Sequence, residues 1–273
     1  MKRMQLTGIA LLLMTGIPVI SMAQDKVEAD IGADLVSGYI WRGQDLGNVS
    51  IQPSASVSYK GFSLSGWGSV GLDKEDTKEF DLTLGYSTGG FSVSFTDYWF
   101  DGGPEYFHYG AHNTSHVFEA QVGYDFGPLA VNWYTNFAGA DGVKANGNRA
   151  YSSYFSIAAP FKLGGLDWSA EIGATPWETS FYNNGASGFE VSNICLGASK
   201  EIKITDSYSL PVFAQAIWNP ATEGAYFVFG ISFYPKRYTT IQIQYNINRI
   251  SDFKRQKRLY RITNNTKYKY NLL

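Results

Sequence analysis

From Val27 to Pro235 the chain is built of roughly ten-residue stretches in which every second side chain is apolar, joined by connections that are short and long in turn. In Phe80-Asp81-Leu82-Thr83-Leu84-Gly85-Tyr86-Ser87, a strand sends Phe80, Leu82, Leu84 and Tyr86 to one face and Asp81, Thr83, Gly85 and Ser87 to the other. One face suits lipid and the other suits water. The pattern predicts an all-β fold, an antiparallel up-and-down transmembrane β-barrel.

The alternation marks about twelve strands, over 27–42, 51–60, 62–72, 79–88, 91–100, 116–126, 129–138, 149–161, 166–176, 189–203, 208–218 and 225–235. Lys60-Gly61, Thr88-Gly89-Gly90, Gly127-Pro128, Lys162-Leu163-Gly164-Gly165 and Thr205-Asp206-Ser207 carry tight-turn chemistry. The connections at 101–115, 139–148 and 176–188 are long and polar or Gly-rich. Short turns on one side and long loops on the other place the turns in the periplasm, and an even strand count leaves both ends there.

The first residues agree with export. Lys2 and Arg3, an apolar core over 6–20 and Ser21-Met22-Ala23 form a signal peptide over 1–23, with a mature start at Gln24. Beyond it no run of about eighteen apolar residues occurs, which excludes a helical membrane protein; 44% hydrophobic residues suffice for a barrel because only half of each strand is greasy. The lone Cys195 makes no internal disulfide, so strand pairing must supply the stability.

Charge divides the chain. Ten of the 22 Lys and Arg lie beyond Pro235, against a single acid there, Asp252. The barrel over 24–235 is therefore acidic, which argues against nucleic-acid binding, and 236–273 is a basic tail, read as an extension peripheral to the barrel, with an added strand at 239–246 or read-through beyond an ancestral stop as the alternatives. Trp41, Trp99, Trp177 and Trp218 fall toward the outer ends of strands and Trp133 and Trp168 toward inner ones, as an aromatic girdle requires.

Strand parity assigns Asp30, Asp34, Asp81, Glu119 and Glu171, among other polar residues, to the interior. Clustered carboxylates there favour cations and neutral polar solutes over anions. Arg42 falls on the same parity, with Asp30, Asp34 or Asp81 as candidate partners, either as a buried ion pair fixing register or as a charged constriction.

The segments 37–44 (Ser-Gly-Tyr-Ile-Trp-Arg-Gly-Gln), 52–59 (Gln-Pro-Ser-Ala-Ser-Val-Ser-Tyr) and 61–69 (Gly-Phe-Ser-Leu-Ser-Gly-Trp-Gly-Ser) resemble a family of uncharacterised bacterial outer-membrane barrel proteins. Residues 80–87 and 224–233 are similar to it as well. The resemblance implies a place in the outer membrane, among its lipid, and a connection with transport, and it supplies no substrate or catalytic residue.

Two other chemistries were open. His108, His112 and His116, beside Asp101 and Glu105, carry enough donors for a zinc or copper site if the loop folds back, although Gly102, Gly103, Pro104 and Gly110 oppose a helix there. Ser115 and His116 are adjacent and point opposite ways in an extended chain, and no Gly-x-Ser-x-Gly or phosphate loop is present. The reading is therefore not an enzyme and needs no cofactor or metal. It is a diffusion channel for small polar or cationic solutes, with alternatives in a closed barrel whose loops bind a ligand or partner, an outer-membrane enzyme, or a secreted β-sandwich.

Overall fold

A computed structural model describes residues 27–76, 78–182, 188–206 and 208–234. The signal peptide over 1–23, the tail over 236–273 and the alternative strand at 239–246 lie outside the described residues. Among the described residues there are fourteen strands: β1 (Glu28–Val36), β2 (Tyr39–Trp41), β3 (Gln44–Gly47), β4 (Ser50–Tyr59), β5 (Phe62–Gly71), β6 (Lys78–Thr88), β7 (Phe91–Phe100), β8 (His116–Asp125), β9 (Ala130–Gly139), β10 (Ser153–Leu163), β11 (Leu166–Thr175), β12 (Glu190–Thr205), β13 (Tyr208–Asn219) and β14 (Gly224–Phe233). Twelve of them close into one antiparallel barrel, β14 pairing with β1, while β2 and β3 form a separate hairpin.

The register shows how alternation becomes a wall. Leu64, Leu84, Phe95 and Ala120 form one row across β5 to β8, and Ser65, Thr83, Thr96 and Glu119 form the next. The first row faces out: Leu64 is 52% exposed, Leu84 55% and Phe95 52%. Inward-facing Asn132, Asn136, Ser156 and Glu119 are buried. Such a molecule is inverted relative to a water-soluble sandwich, whose apolar faces pack together and whose polar faces meet water.

At one end of the barrel the connections are tight. Lys60 and Gly61 carry φ of 50° and 86° between the paired Tyr59 and Phe62, the mirror-image turn whose twist matches the flanking strands. Long connections, including 101–115 and 140–152, gather at the other, called here the loop end.

Two expectations need correction. The stretch 27–42 is not one strand: β1 ends at Val36, and after Ser37-Gly38 the chain leaves the wall and makes the β2–β3 hairpin. β4 resumes the barrel directly, with Val36 paired to Ser50. The interior is also not polar throughout, because Val36, Cys195, Phe213, Ile217 and Val228 form an inward-facing apolar cluster on β1 and β12 to β14.

Candidate functional site: a hairpin folded into the barrel

The hairpin points inward and crosses the lumen. Its two-residue tip, Arg42-Gly43, has φ of 50° and 81°, so Trp41 pairs with Gln44 across a mirror-image turn. Side chains alternate on β2 as on any strand. Ile40 packs on the apolar cluster of β1 and β12 to β14, while Tyr39 and Trp41 turn the other way, Tyr39 tilted on Trp67 of β5 with ring centres 5.5 Å apart and Trp41 edge-on to Tyr98 of β7 at 5.7 Å.

Polar contacts fix the hairpin to several walls at once. Tyr39 Oη donates to Glu79 Oε2 on β6 at 2.9 Å, and Asn219 Nδ2 on β13 donates to the Gly43 carbonyl at 2.9 Å. Gly43 leaves no room for a side chain, since a Cβ there would lie 1.8 Å from the Ser192 carbonyl oxygen. Where the hairpin tip meets β12 and β13, glycine is required both by its backbone angle and by this approach.

Arg42 is the centre of the arrangement. Its guanidinium makes a forked contact with Glu119 on β8, Nη1 to Oε2 at 2.6 Å and Nη2 to Oε1 at 3.0 Å, with both side chains buried at 8% and 2% exposure. Nη1 also donates to the Tyr182 hydroxyl. The guanidinium carbon stands 4.3 Å from the centre of the Trp41 ring, 3.9 Å from Tyr134, 4.8 Å from Tyr154 and 5.4 Å from Tyr182. An aromatic cage closed by a carboxylate is a strong site for a delocalised cation. Glu119 accepts two more bonds, from Tyr98 Oη at 2.8 Å and Tyr182 Oη at 2.9 Å. Burial pushes the Tyr182 hydroxyl well above its ordinary value, Arg42 opposing this and Glu119 adding to it, so it stays a neutral donor.

No family model matches the chain, and no curated protein matches it. Among solved structures the chain is similar to a KdgM porin (10% identity, TM-score 0.40, 76% of this chain and 98% of that one). It is similar also to a NanC porin (9%, 0.40, 77% and 100%) and to the outer membrane protein OprD from Pseudomonas aeruginosa (12%, 0.31, 79% and 66%). The assignment of a closed twelve-strand barrel rests on its own hydrogen-bonded register.

The sequence-predicted residues separate into two groups. Glu119 and Glu171 meet at the cage with Arg42: Glu171 Oε1 accepts from Tyr154 Oη at 3.1 Å and from Asn193 Nδ2 at 2.9 Å. Asp34 and Asp81 are inward and buried, yet neither is the hydrogen-bonded partner of Arg42, and Asp30 sits exposed on β1, in register with Ser56. Alternation carried past Val36 placed Arg42 on a wall; the turn at 42–43 instead carries it across the lumen to Glu119. Trp41 is likewise an interior residue and not part of a girdle.

The three histidines do not converge. His116 lies on the outward parity of β8, fully buried beneath the 101–115 loop. Its Nδ1 is 2.7 Å from Asp97 Oδ1, its Nε2 meets the Tyr106 carbonyl, and Tyr109 stacks on its ring at 4.3 Å. His112 Nδ1 faces Arg149 Nη2 at 3.2 Å, and the His108 carbonyl accepts from Thr114 Oγ1 at 2.7 Å. Among the described residues no group of three His, Cys, Asp or Glu could hold a metal ion. With both ring nitrogens of His116 engaged, the loop is clasped to the outer wall.

Proposed function

We propose that the chain is an outer-membrane channel for small polar or cationic solutes, narrowed near its loop end by the β2–β3 hairpin. The observation that carries the reading is the pairing of an apolar outward face with a largely polar inward one around a closed barrel. A closed barrel is one of the two strand or helix solutions that satisfy every backbone group in lipid, and its outward rows of Leu and Phe are what lipid requires. The cation preference follows from the buried inward carboxylates Asp34, Glu79, Asp81, Glu119 and Glu171, of which Glu119 pairs with the Arg42 guanidinium. The inward hairpin also supports a second reading, a barrel that stays shut while its long loops bind a ligand.

Solute-swelling rates of proteoliposomes carrying the full chain distinguish the two. A channel admits small cationic solutes faster than neutral ones of equal size and anionic ones slowest. An anion preference would overturn the proposed selectivity, and no swelling with any solute would leave the shut, loop-binding barrel.

A further inference from the structure

The cage around Arg42 is built mainly by the barrel and not by the hairpin that fills it. Tyr134 and Tyr154 stand on β9 and β10, Glu119 on β8 and Tyr182 on the connection after β11. The hairpin contributes Arg42 itself and Trp41. We propose that this wall pocket is a binding site for guanidinium and alkylammonium solutes, and that Arg42 occupies it as a tethered ligand. The proposal rests on the channel reading and names the solute class that the lumen would recognise.

Three features support it. The forked Arg42–Glu119 contact is the planar match a guanidinium makes with a carboxylate, and the surrounding ring faces favour a cation of any identity within about 6 Å. Beyond Arg42 the pocket offers more than Arg42 uses. Tyr154 lines the cage and also donates to Glu171, a residue only 7% exposed whose Oε2 has no hydrogen-bond partner. A solute carrying a second donor group could satisfy it. Finally, the tip holds Arg42 at a positive φ that non-glycine residues seldom adopt, so the hairpin's geometry is spent on delivering that one side chain to the cage.

Tethering sets the competition. A ligand on a short flexible linker acts at an effective concentration of about millimolar, so a free guanidinium displaces Arg42 only at comparable levels. Removing the Arg42 side chain vacates the cage.

The test uses the purified full-length chain carrying Arg42→Ala, titrated with ethylguanidinium and followed by calorimetry and tyrosine fluorescence, with urea as the neutral planar control. Saturable binding of ethylguanidinium but not urea, weakened at least ~10-fold by adding Glu119→Gln, supports the proposal, as does the absence of binding to the unmodified chain below about millimolar ligand. A folded Arg42→Ala chain that binds no guanidinium, or binds urea equally, overturns it. If Arg42→Ala does not assemble, a chain with 37–49 replaced by Asn-Gly empties the same cage and takes its place. Binding without solute permeation removes the channel reading alone, and permeation without binding removes the cage alone.

Discussion

Replacing Glu119 with glutamine removes the charge that holds Arg42 across the lumen while keeping the side chain's size. The carboxylate accepts four bonds, two from Arg42 and one each from Tyr98 and Tyr182. An amide has one oxygen to accept them and turns an NH2 group toward donors. Removing one partner of a buried ion pair costs about 3–5 kcal/mol, and the cation–π contacts of Arg42 remain. None of the barrel's ladder bonds uses this side chain, so the cost falls on hairpin docking. At roughly 1.4 kcal/mol per tenfold, the docked-to-undocked ratio falls by about two to three and a half orders of magnitude. Amide hydrogen exchange in Glu119→Gln is expected to accelerate by that factor at Tyr39, Ile40 and Gln44, with β5 to β12 unchanged. Hairpin amides as protected as in the wild type would refute the idea that the Arg42–Glu119 contact holds the hairpin in place.

Three further outcomes follow. Gly43→Ala puts a methyl group against the Ser192 carbonyl at a φ of 81°, so the hairpin is expected to leave the lumen, raising solute permeation while far-UV circular dichroism stays barrel-like; unchanged permeation would contradict it. Leu84→Lys, on the outward row, is expected to lower stability in vesicles by about 2–4 kcal/mol if Leu84 lies near the bilayer midplane, whereas Ser65→Lys on the inward row costs far less; equal costs in denaturant unfolding would count against the lipid-facing assignment. His116→Ala removes the ring contacts to Asp97, Tyr106 and Tyr109. With about 1–3 kcal/mol of hydrogen bonding lost, limited proteolysis near Phe107, already 87% exposed, is expected to quicken, and a cleavage rate equal to wild type would show that the clasp does not hold the loop.

The barrel was legible because its period is two and its turns are local, each carrying its own Gly signal, as at Lys60-Gly61. Arg42 was recognisable as an inward group, but its route was hidden. A three-residue strand leaves too little alternation to detect, and Arg-Gly lacks the Asn-Gly or Asp-Gly signature of a mirror-image turn. Glu119 lies 77 residues away, and no local pattern selects it among the acids. The cage did leave a trace: Tyr134 and Tyr154 sit on the parity otherwise given to Asn132, Asn136 and Ser156, and aromatic residues on a polar face are what a buried cation attracts. Trp67 and Tyr98 carry the same mark, on the parity of Ser65, Thr83, Thr96 and Asp81, whereas Tyr39 and Tyr182 lie outside the barrel strands and carry none, because the hairpin's path decides what they meet. The regular spacing of His108, His112 and His116 carries little weight, since an i, i+4 interval brings side chains together only on a helix, and this Gly- and Pro-bearing loop is irregular.

The proposed cation-selective lumen and its narrowing by the β2–β3 hairpin can be read in one recording. Since Val36 already pairs with Ser50, residues 37–49 can be replaced by Asn-Gly without shifting the register of β1 on β4. Planar-bilayer recording of that chain beside the wild type, across a salt gradient, measures the narrowing and the selectivity together. Larger stepwise currents are expected in the shortened chain, with a reversal potential on the cation side; currents identical to wild type, or an anion-side reversal potential, would contradict both.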